Sequence, residues 1–394
     1  MSRLSRLVLV VACCSPVVAL PAVASAKVRV GPAGDGFYAA PNPLPGKEHG
    51  DAIWARTLKG AAVVPGAGST KVVLYRSQDA HGAQVPVSGV VSVPKGKAPK
   101  GGWPVITWAH GTSGIADRCA PSRDDGTALV HAYHAYVFPL LTSWLKAGYA
   151  VVRTDYEGLG TRYDHQYLNG KAAGRGVLDM VRAARQVDPR LSRTTIIAGH
   201  SQGGHAALFA AALAPTYARD LKVRGTIAFA PASHLDEQIP LTRSLTAANP
   251  GLSGLVATIA YGLQAAYPDR FQLADFMTDQ GVALALSAQS KCLGDLPAAG
   301  VAPSSLFKPG VDLAPVAKLL DANDPSHLKI KTPLLVEQGR ADTTVIPLFT
   351  DQLVTELKDN GGKPTYQRFA GVDHVGITAT GGPAATKWIK QRLR

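Results

Sequence analysis

A glycine-rich segment in the middle of the chain has the composition of a turn that carries a nucleophile. Residues 199–204 read Gly-His-Ser-Gln-Gly-Gly and fit the pattern Gly-x-Ser-x-Gly, with an apolar run before them and an alanine-rich helical pattern after them. In this strand–turn–helix context the serine hydroxyl stands above the edge of a sheet, and glycines avoid the clashes that side chains would cause. We therefore predict that Ser201 is the nucleophile of an acyl-transfer reaction.

The base that such a serine needs is expected directly after the last strand. His374 follows the strand-like run 366–369, and no other histidine comes after His327. We predict that the His374 imidazole takes the proton of the Ser201 hydroxyl.

The acid that orients the base is expected between the nucleophile and the base, just past a strand. Asp342 fits this position, because it follows the strand-like run 334–338 on a glycine-led loop. Glu337 lies within that run and is less free to reach the histidine. Asp342 is therefore predicted to hold the imidazole and to stabilise its cation.

The oxyanion of a tetrahedral intermediate needs hydrogen-bond donors. One backbone N–H should come from Gln202, the residue after the nucleophile, and another from the loop after the strand-like run 105–109. That loop begins His110-Gly111-Thr112, and we predict that the Thr112 N–H is the second donor.

Neither a cofactor nor a nucleic acid is expected as a partner. The sequence has no histidine–carboxylate spacing typical of a metal site, and no glycine-rich loop at a first strand–helix junction typical of a nucleotide site. The formal net charge of +13 is spread along the chain, whereas nucleic-acid binding favours a basic patch with stacking aromatic residues. Spread basic charge favours contact with anionic surfaces, such as a cell envelope or lipid coated with fatty acids.

Strand-like and helical runs alternate along most of the chain. This alternation predicts an α/β fold with a mostly parallel central sheet and helices on both faces. Residues 27–70, rich in glycine, proline and alanine, are expected to form an irregular lead-in. The predicted strands are 72–76, 87–93, 105–109, 150–154, 195–198, 226–230, 334–338 and 366–369, and the predicted helices between them are 136–147, 176–187, 203–214 and 347–358.

The alternation breaks between residues 233 and 328, where helical periodicity continues without a clear strand. This interruption is too long for a loop, so we predict an inserted helical cap over the sheet edge at which ligands bind. The α/β core would then consist of residues 27–232 and 329–394.

An uncharged run at 244–268 lies within the predicted cap. Its proline, glycines and glutamine argue against a membrane span and favour a buried helix. We expect this helix to supply an acyl pocket, with Leu255 and Ile259 among the side chains that face it.

The first 26 residues have the pattern of an export signal. Two arginines precede an uncharged, largely apolar run at 7–20, and residues 24–26, Ala-Ser-Ala, are the small residues that a signal peptidase needs. The mature chain is expected to begin at Lys27, and loss of the two arginines lowers the formal charge from +13 to +11. Lipid anchoring is the alternative, because Val-Val-Ala-Cys at 10–13 resembles a lipobox that would acylate Cys13.

Two cysteines, Cys119 and Cys292, remain in the mature chain. Because export exposes a chain to oxidising conditions, we predict that they form one disulfide between the loop beyond strand 105–109 and the cap. Two buried free thiols are the alternative.

The combination of these motifs resembles the secretory lipases of the lipase A-like branch of the α/β-hydrolases. The resemblance implies the α/β-hydrolase fold, a helical cap between the sixth and seventh core strands, and hydrolysis of acyl esters, including glycerides. Asp155 and Glu157 would either help to build the pocket floor or stabilise a turn. The segments that carry the resemblance are 110–114 (His-Gly-Thr-Ser-Gly), 117–122 (Asp-Arg-Cys-Ala-Pro-Ser), 155–160 (Asp-Tyr-Glu-Gly-Leu-Gly), 199–204, 338–342 and 371–374.

The expected function is therefore that of an exported serine esterase or lipase that forms an acyl-enzyme. A serine peptidase of the same fold would carry the same triad, and activity on p-nitrophenyl acyl esters against aminoacyl amides separates the two. Acyl transfer to a cell-envelope acceptor would be detected by supplying an alcohol. A non-enzymatic, envelope-binding protein on this scaffold would not react with a fluorophosphonate.

Overall fold

The computed structural model describes residues 28–393. The predicted leader, residues 1–26, and the alternative acylation site Cys13 lie outside this range. Cleavage of the leader and lipid anchoring therefore stay predictions.

A nine-stranded sheet forms the centre of the molecule and contains every predicted strand. Its strand order is β1-β2-β3-β5-β4-β6-β7-β8-β9, in the numbering given below. The pairs β1–β2, β2–β3 and β3–β5 are antiparallel, whereas the strands from β5 to β9 in this order are parallel. The strands are β1 (Ala52–Thr57), β2 (Ser69–Gln78), β3 (Gln84–Val93), β4 (Trp103–Ala109), β5 (Ala150–Glu157), β6 (Leu191–His200), β7 (Lys222–Phe229), β8 (Leu334–Gly339) and β9 (Pro364–Phe369).

Helices cover both faces of the sheet, as predicted for the α/β-hydrolase fold. Apolar side chains of α3, α4 and α10 pack on one face, and those of α2, α11 and α12 pack on the other. The helices are α1 (Ala128–Ala135), α2 (Phe138–Lys146), α3 (Gly170–Val187), α4 (Gln202–Tyr217), α5 (Ile239–Ser244), α6 (Pro250–Ala266), α7 (Leu273–Phe276), α8 (Asp279–Ser287), α9 (Ala314–Asp321), α10 (Pro347–Asp359), α11 (Gly376–Thr380) and α12 (Gly382–Arg392).

The expectation of an irregular lead-in over residues 27–70 is wrong for one segment, because β1 lies within it. Ile53 and Ala55 are buried, whereas Trp54 and Arg56 are partly exposed. This alternation is typical of an edge strand with one covered face. The surrounding glycines and prolines obscured the pattern in the sequence.

The chain between β7 and β8 forms a helical layer that contributes no strand to the sheet. It contains α5 to α9 and has an apolar core of its own, which includes Ala257, Tyr261, Leu284 and Leu306. Most of the uncharged run 244–268 forms α6, which is partly buried. Over the part of the chain that the structure describes, no helix is both long enough and apolar enough to span a membrane.

Cys119 and Cys292 form a disulfide, as predicted, across a sequence separation of 173 residues. The same connection includes backbone contacts, since Leu293 N–H donates to the Ser113 carbonyl at 3.0 Å and Gly114 forms a β-bridge with Cys292. The helical layer is therefore fixed, covalently and by its backbone, to the loop that follows β4.

Asp155 has a structural role at the end of β5. Its carboxylate is fully buried and accepts hydrogen bonds from the Ser88 hydroxyl at 2.6 Å and the Ser122 N–H at 3.0 Å. Of the two alternatives for Asp155, the structure favours stabilisation of a turn over a place in a pocket floor.

Candidate active site

Ser201 lies at a sharp turn between β6 and α4. Its backbone has φ 58° and ψ −120°, a conformation that costs a non-glycine residue about 1–3 kcal/mol and is concentrated at functional sites. The turn is held by its main chain, because the Ser201 N–H donates to the Phe229 carbonyl at 2.9 Å and the Ser201 carbonyl accepts from the His205 N–H at 3.0 Å. The serine side chain is partly exposed at the carboxyl edge of the sheet.

Two glycines make this turn possible. A Cβ on Gly199 would overlap the Gly203 carbonyl oxygen, and a Cβ on Gly203 would overlap the Ala109 carbonyl oxygen. Without these side chains α4 begins directly against the end of β4. The loop that follows Ala109 is therefore next to the nucleophile.

His374 and Asp342 are in direct contact on the loops that follow the neighbouring strands β9 and β8. His374 Nδ1 lies 2.7 Å from Asp342 Oδ2. Because a carboxylate only accepts, the imidazole donates through Nδ1 and its Nε2 is left as a proton acceptor. Asp342 is fixed in turn by the Thr344 and Val345 N–H groups, both 2.8 Å from Oδ1, and by Gln338 Nε2, 3.1 Å from Oδ2.

Glu337, the rival acid, makes no hydrogen bond to His374. Its side chain is fully buried in β8, and within residues 28–393 neither carboxyl oxygen has a hydrogen-bond partner. It packs against Gly381, where an added Cβ would overlap its Oε2. Burial raises the pKa of Glu337 to about 8, so this carboxyl is mostly protonated at neutral pH.

The two predicted oxyanion donors have side chains tied to one loop, between β5 and α3. The Thr112 hydroxyl lies 2.5 Å from the Tyr167 hydroxyl, and Gln202 Nε2 lies 3.1 Å from His165 Nε2. His165 Nδ1 lies 2.7 Å from the Glu157 carbonyl and must donate to it, which leaves Nε2 to accept from the Gln202 amide. Gln202 is also the first residue of α4, where backbone N–H groups have no partner inside the helix.

His165 and Tyr167 escaped the sequence analysis. They belong to no motif, and the strand and helix around them are separated from Thr112 and Gln202 by long stretches of chain. Only the order of strands in the sheet brings their loop beside the nucleophile turn.

An apolar cavity of about 90 Å³ lies inside the helical layer. Its lining is almost wholly hydrophobic and includes Val256, Leu263 and Phe271. Of the two side chains expected to face an acyl pocket, Ile259 lines this cavity, whereas Leu255 does not.

A narrower pocket of about 10 Å³ adjoins this cavity. It reaches Ala232, whose N–H donates to the Ser201 carbonyl at 3.3 Å. Residues that line both spaces are Leu235, Ile259, Leu263 and Leu320.

No group of three His, Cys, Asp or Glu side chains within residues 28–393 is arranged to hold a metal ion. The chemistry available at the carboxyl edge of the sheet is that of a serine, a histidine and a carboxylate.

The profile of the secretory lipase family matches residues 127–394, which is more than half of the chain. The chain belongs to the secretory lipase family. Thr112 lies before the matched region, whereas Ser201, Asp342 and His374 lie within it.

Two relatives match this family member over most of its length. A Mycobacterium tuberculosis protein named "probable inactive lipase" is 25% identical over 92% of this chain and 82% of the relative. Lipase 4 of Candida albicans is 25% identical over 92% of this chain and 82% of its own.

Solved structures show the same fold at low sequence identity. Candida antarctica lipase A superimposes with a TM-score of 0.78 at 20% identity, over 90% of this chain and 84% of the lipase. A mutant of the rice cell wall degrading esterase LipA from Xanthomonas oryzae superimposes with a TM-score of 0.71 at 19% identity, over 88% of this chain and all of the esterase.

We expect Glu337 to make folding stability depend on pH. In the unfolded chain this carboxyl ionises near its ordinary pKa of 4.5, whereas in the folded protein it stays protonated up to about 8. The contribution of Glu337 to folding stability is therefore greatest below pH 4.5 and is lost as the pH rises toward 8. Thermal unfolding between pH 5 and pH 8 should show a smaller fall in Tm for Glu337→Gln than for the wild type.

The same Glu337→Gln variant is the control for the assignment of the acid. Asp342→Asn should lower ester turnover on the order of 10³–10⁴-fold, because the imidazole loses its orienting carboxylate. Glu337→Gln should leave turnover within about threefold of the wild type. A crippled Glu337→Gln beside an active Asp342→Asn would show that Asp342 is not the acid.

Proposed function

We propose that the protein is an exported carboxylic-ester hydrolase whose catalytic triad is Ser201, His374 and Asp342. The observation that carries the proposal is the 2.7 Å contact between His374 Nδ1 and Asp342 Oδ2, at the sheet edge where the strained Ser201 also lies. Membership of a secretory lipase family supports both the ester chemistry and export. Cleavage after Ala26 stays a prediction.

In the proposed reaction, Ser201 Oγ attacks the ester carbonyl carbon while its proton moves to His374 Nε2. The negative charge that forms on the carbonyl oxygen is stabilised by the N–H groups of Thr112 and Gln202. Collapse of this intermediate expels the alcohol, which takes the proton from His374, and leaves an acyl-serine. Water then attacks the acyl group, gives its proton to His374, and the carboxylic acid leaves as the serine recovers its proton.

Residues 233–328 are proposed to act as a cap that binds the acyl chain. The apolar cavity within this layer supports the assignment, because its lining offers no charged side chain to an acyl group. The narrow pocket shares Ile259 and Leu263 with the cavity, and Ala232 in its lining is bonded to the Ser201 main chain, so this pocket would be the route from the cavity toward the serine. At about 10 Å³ this route is nearly closed, so binding of a long chain would require the cap to shift.

Glycerides at a lipid surface are the proposed substrates. Two exposed apolar side chains support this, since Val375 follows His374 directly and Leu348 lies in the first turn of the helix after the Asp342 loop. Exposed apolar residues beside a reactive centre favour contact with an apolar phase. The basic net charge would add attraction to anionic lipid.

Ser201→Ala should abolish turnover of p-nitrophenyl esters and labelling by a fluorophosphonate while the fold persists. His374→Ala should be nearly as severe, because the serine then lacks its base. The double variant should be little worse than either single one, since the residues act as a unit. A wild-type protein that neither turns over esters nor reacts with the fluorophosphonate would overturn the proposed activity.

Ile259→Trp should shorten the preferred acyl chain, because the indole would fill the space shared by the cavity and the narrow pocket. The ratio of kcat/KM for palmitoyl to acetyl esters should fall at least about tenfold. Leu255→Trp is the matched control, because Leu255 is also a partly buried residue of α6 but lines neither space. Equal effects of the two variants would argue against acyl binding in the cap.

Leu348→Ser and Val375→Ser should lower activity on emulsified triacylglycerol more than activity on a soluble short-chain ester, about fivefold or more in the ratio. Val30→Ser replaces an even more exposed apolar residue near β1, at the far edge of the sheet, and should leave the ratio unchanged. An unchanged ratio in all three variants would argue against lipid contact at the rim of the site.

A further inference from the structure

His200 is the last residue of β6 and precedes Ser201 in the chain. Its side chain is buried, yet both ring nitrogens have partners. Nε2 lies 2.8 Å from the His374 carbonyl oxygen, and Nδ1 lies 2.7 Å from the Tyr136 hydroxyl. The residue before the nucleophile therefore contacts the main chain of the base directly.

The partners of His200 fix which nitrogen carries the proton. A carbonyl oxygen only accepts, so Nε2 must be the donor to His374. In a neutral imidazole Nδ1 then accepts, and the Tyr136 hydroxyl donates to it. The order of donation runs from Tyr136 through His200 to the His374 carbonyl.

The surroundings of His200 and Tyr136 keep both side chains uncharged. Burial, and then the proximity of His374, hold the pKa of His200 well below its ordinary value. Burial also raises the pKa of Tyr136 above its ordinary value. His200 therefore remains neutral when His374 takes up a proton, and adds no positive charge beside it.

His200 and Tyr136 also contact the loop that contains Gly111 and Thr112. A Cβ on Gly111 would lie 3.0 Å from the Tyr136 hydroxyl and 3.3 Å from His200 Nδ1, which leaves room only for glycine or a small shift. The His200 and His374 ring centroids are 4.6 Å apart. The turn of Ser201, the loop of His374 and the loop of Thr112 therefore meet at His200 and Tyr136.

We propose that His200, oriented by Tyr136, is a positioning residue that fixes the main chain of His374 relative to Ser201. The proposal rests on the proposed triad. It assigns no proton transfer to His200, whose Nε2–H stays bonded to the His374 carbonyl throughout the reaction. Its contribution is to hold the base at the distance from Ser201 that both acylation and deacylation require.

His200→Phe keeps a ring of similar size but removes both hydrogen bonds. We expect it to lower kcat about 10- to 100-fold, with KM for a soluble acetyl ester within about threefold, because the base is displaced while the acyl pocket is untouched. Fluorophosphonate labelling should slow by a similar factor, since it needs the same serine–histidine geometry. His200→Gln, whose amide can still donate to the His374 carbonyl, should recover most of the loss.

Tyr136→Phe removes the hydroxyl that donates to His200 and disturbs the packing little. Without the tyrosine donor the second imidazole tautomer becomes accessible, so kcat should fall about three- to tenfold with little change in KM. His134→Phe is the matched control, because His134 is another buried imidazole and its Nε2 lies 3.0 Å from a carbonyl, that of Cys119. It should change Tm and leave kcat within about threefold of the wild type.

Wild-type kcat and labelling rate in His200→Phe or in Tyr136→Phe would overturn the proposal, and so would an equal loss of kcat in His134→Phe. If His200→Phe fails to fold, the kcat of Tyr136→Phe decides. These outcomes are distinct from failure of the triad itself, in which the wild type would show no ester turnover and no labelling.

Discussion

The close approach of α4 to the end of β4 is the constraint on which the site depends. It requires that Gly199 and Gly203 lack side chains, because the backbone carbonyls of Gly203 and Ala109 occupy the space that a Cβ would need. The approach places Ser201 at a strained turn and brings the loop of Thr112 beside it. A side chain at either glycine would separate Ser201 from the loop of Thr112 and would disrupt the turn that holds the serine.

The parallel arrangement of the central strands brings the other reactive groups to the same edge. Asp342 follows β8 and His374 follows β9, and neighbouring parallel strands end side by side, so acid and base meet although 32 residues separate them. Further hydrogen bonds then surround the pair. Gln338 donates a hydrogen bond to the Asp342 carboxylate, and His200 donates one to the main-chain carbonyl of His374. The side chains of the proposed triad are therefore oriented by hydrogen bonds within the protein itself.

The helical layer between β7 and β8 has a different character. It has its own apolar core and an internal cavity, and it is tied to the oxyanion loop by the disulfide of Cys119 and Cys292. A second contact lies at Tyr167, whose hydroxyl pairs with Thr112 and whose backbone packs against Gly262 of α6. Movement of this layer would therefore displace the loop of Thr112. Acyl binding in the proposed cap would in this way be coupled to the geometry of the proposed reaction.

The sequence by itself determined the α/β architecture and the long helical insertion, and it named Ser201, Asp342 and His374 as the candidate triad. It could do so because a Gly-x-Ser-x-Gly turn is read from adjacent residues, and because the order of strands restricts where an acid and a base can follow. The sequence did not reveal β1, whose single covered face gives a weak pattern among glycines and prolines. Only the tertiary structure decided that His200, Tyr136, His165 and Tyr167 surround the site, and that Ile259 and not Leu255 faces the cavity. These contacts join segments far apart in the chain, and a side chain's direction across such a contact is set by packing, which no local pattern encodes.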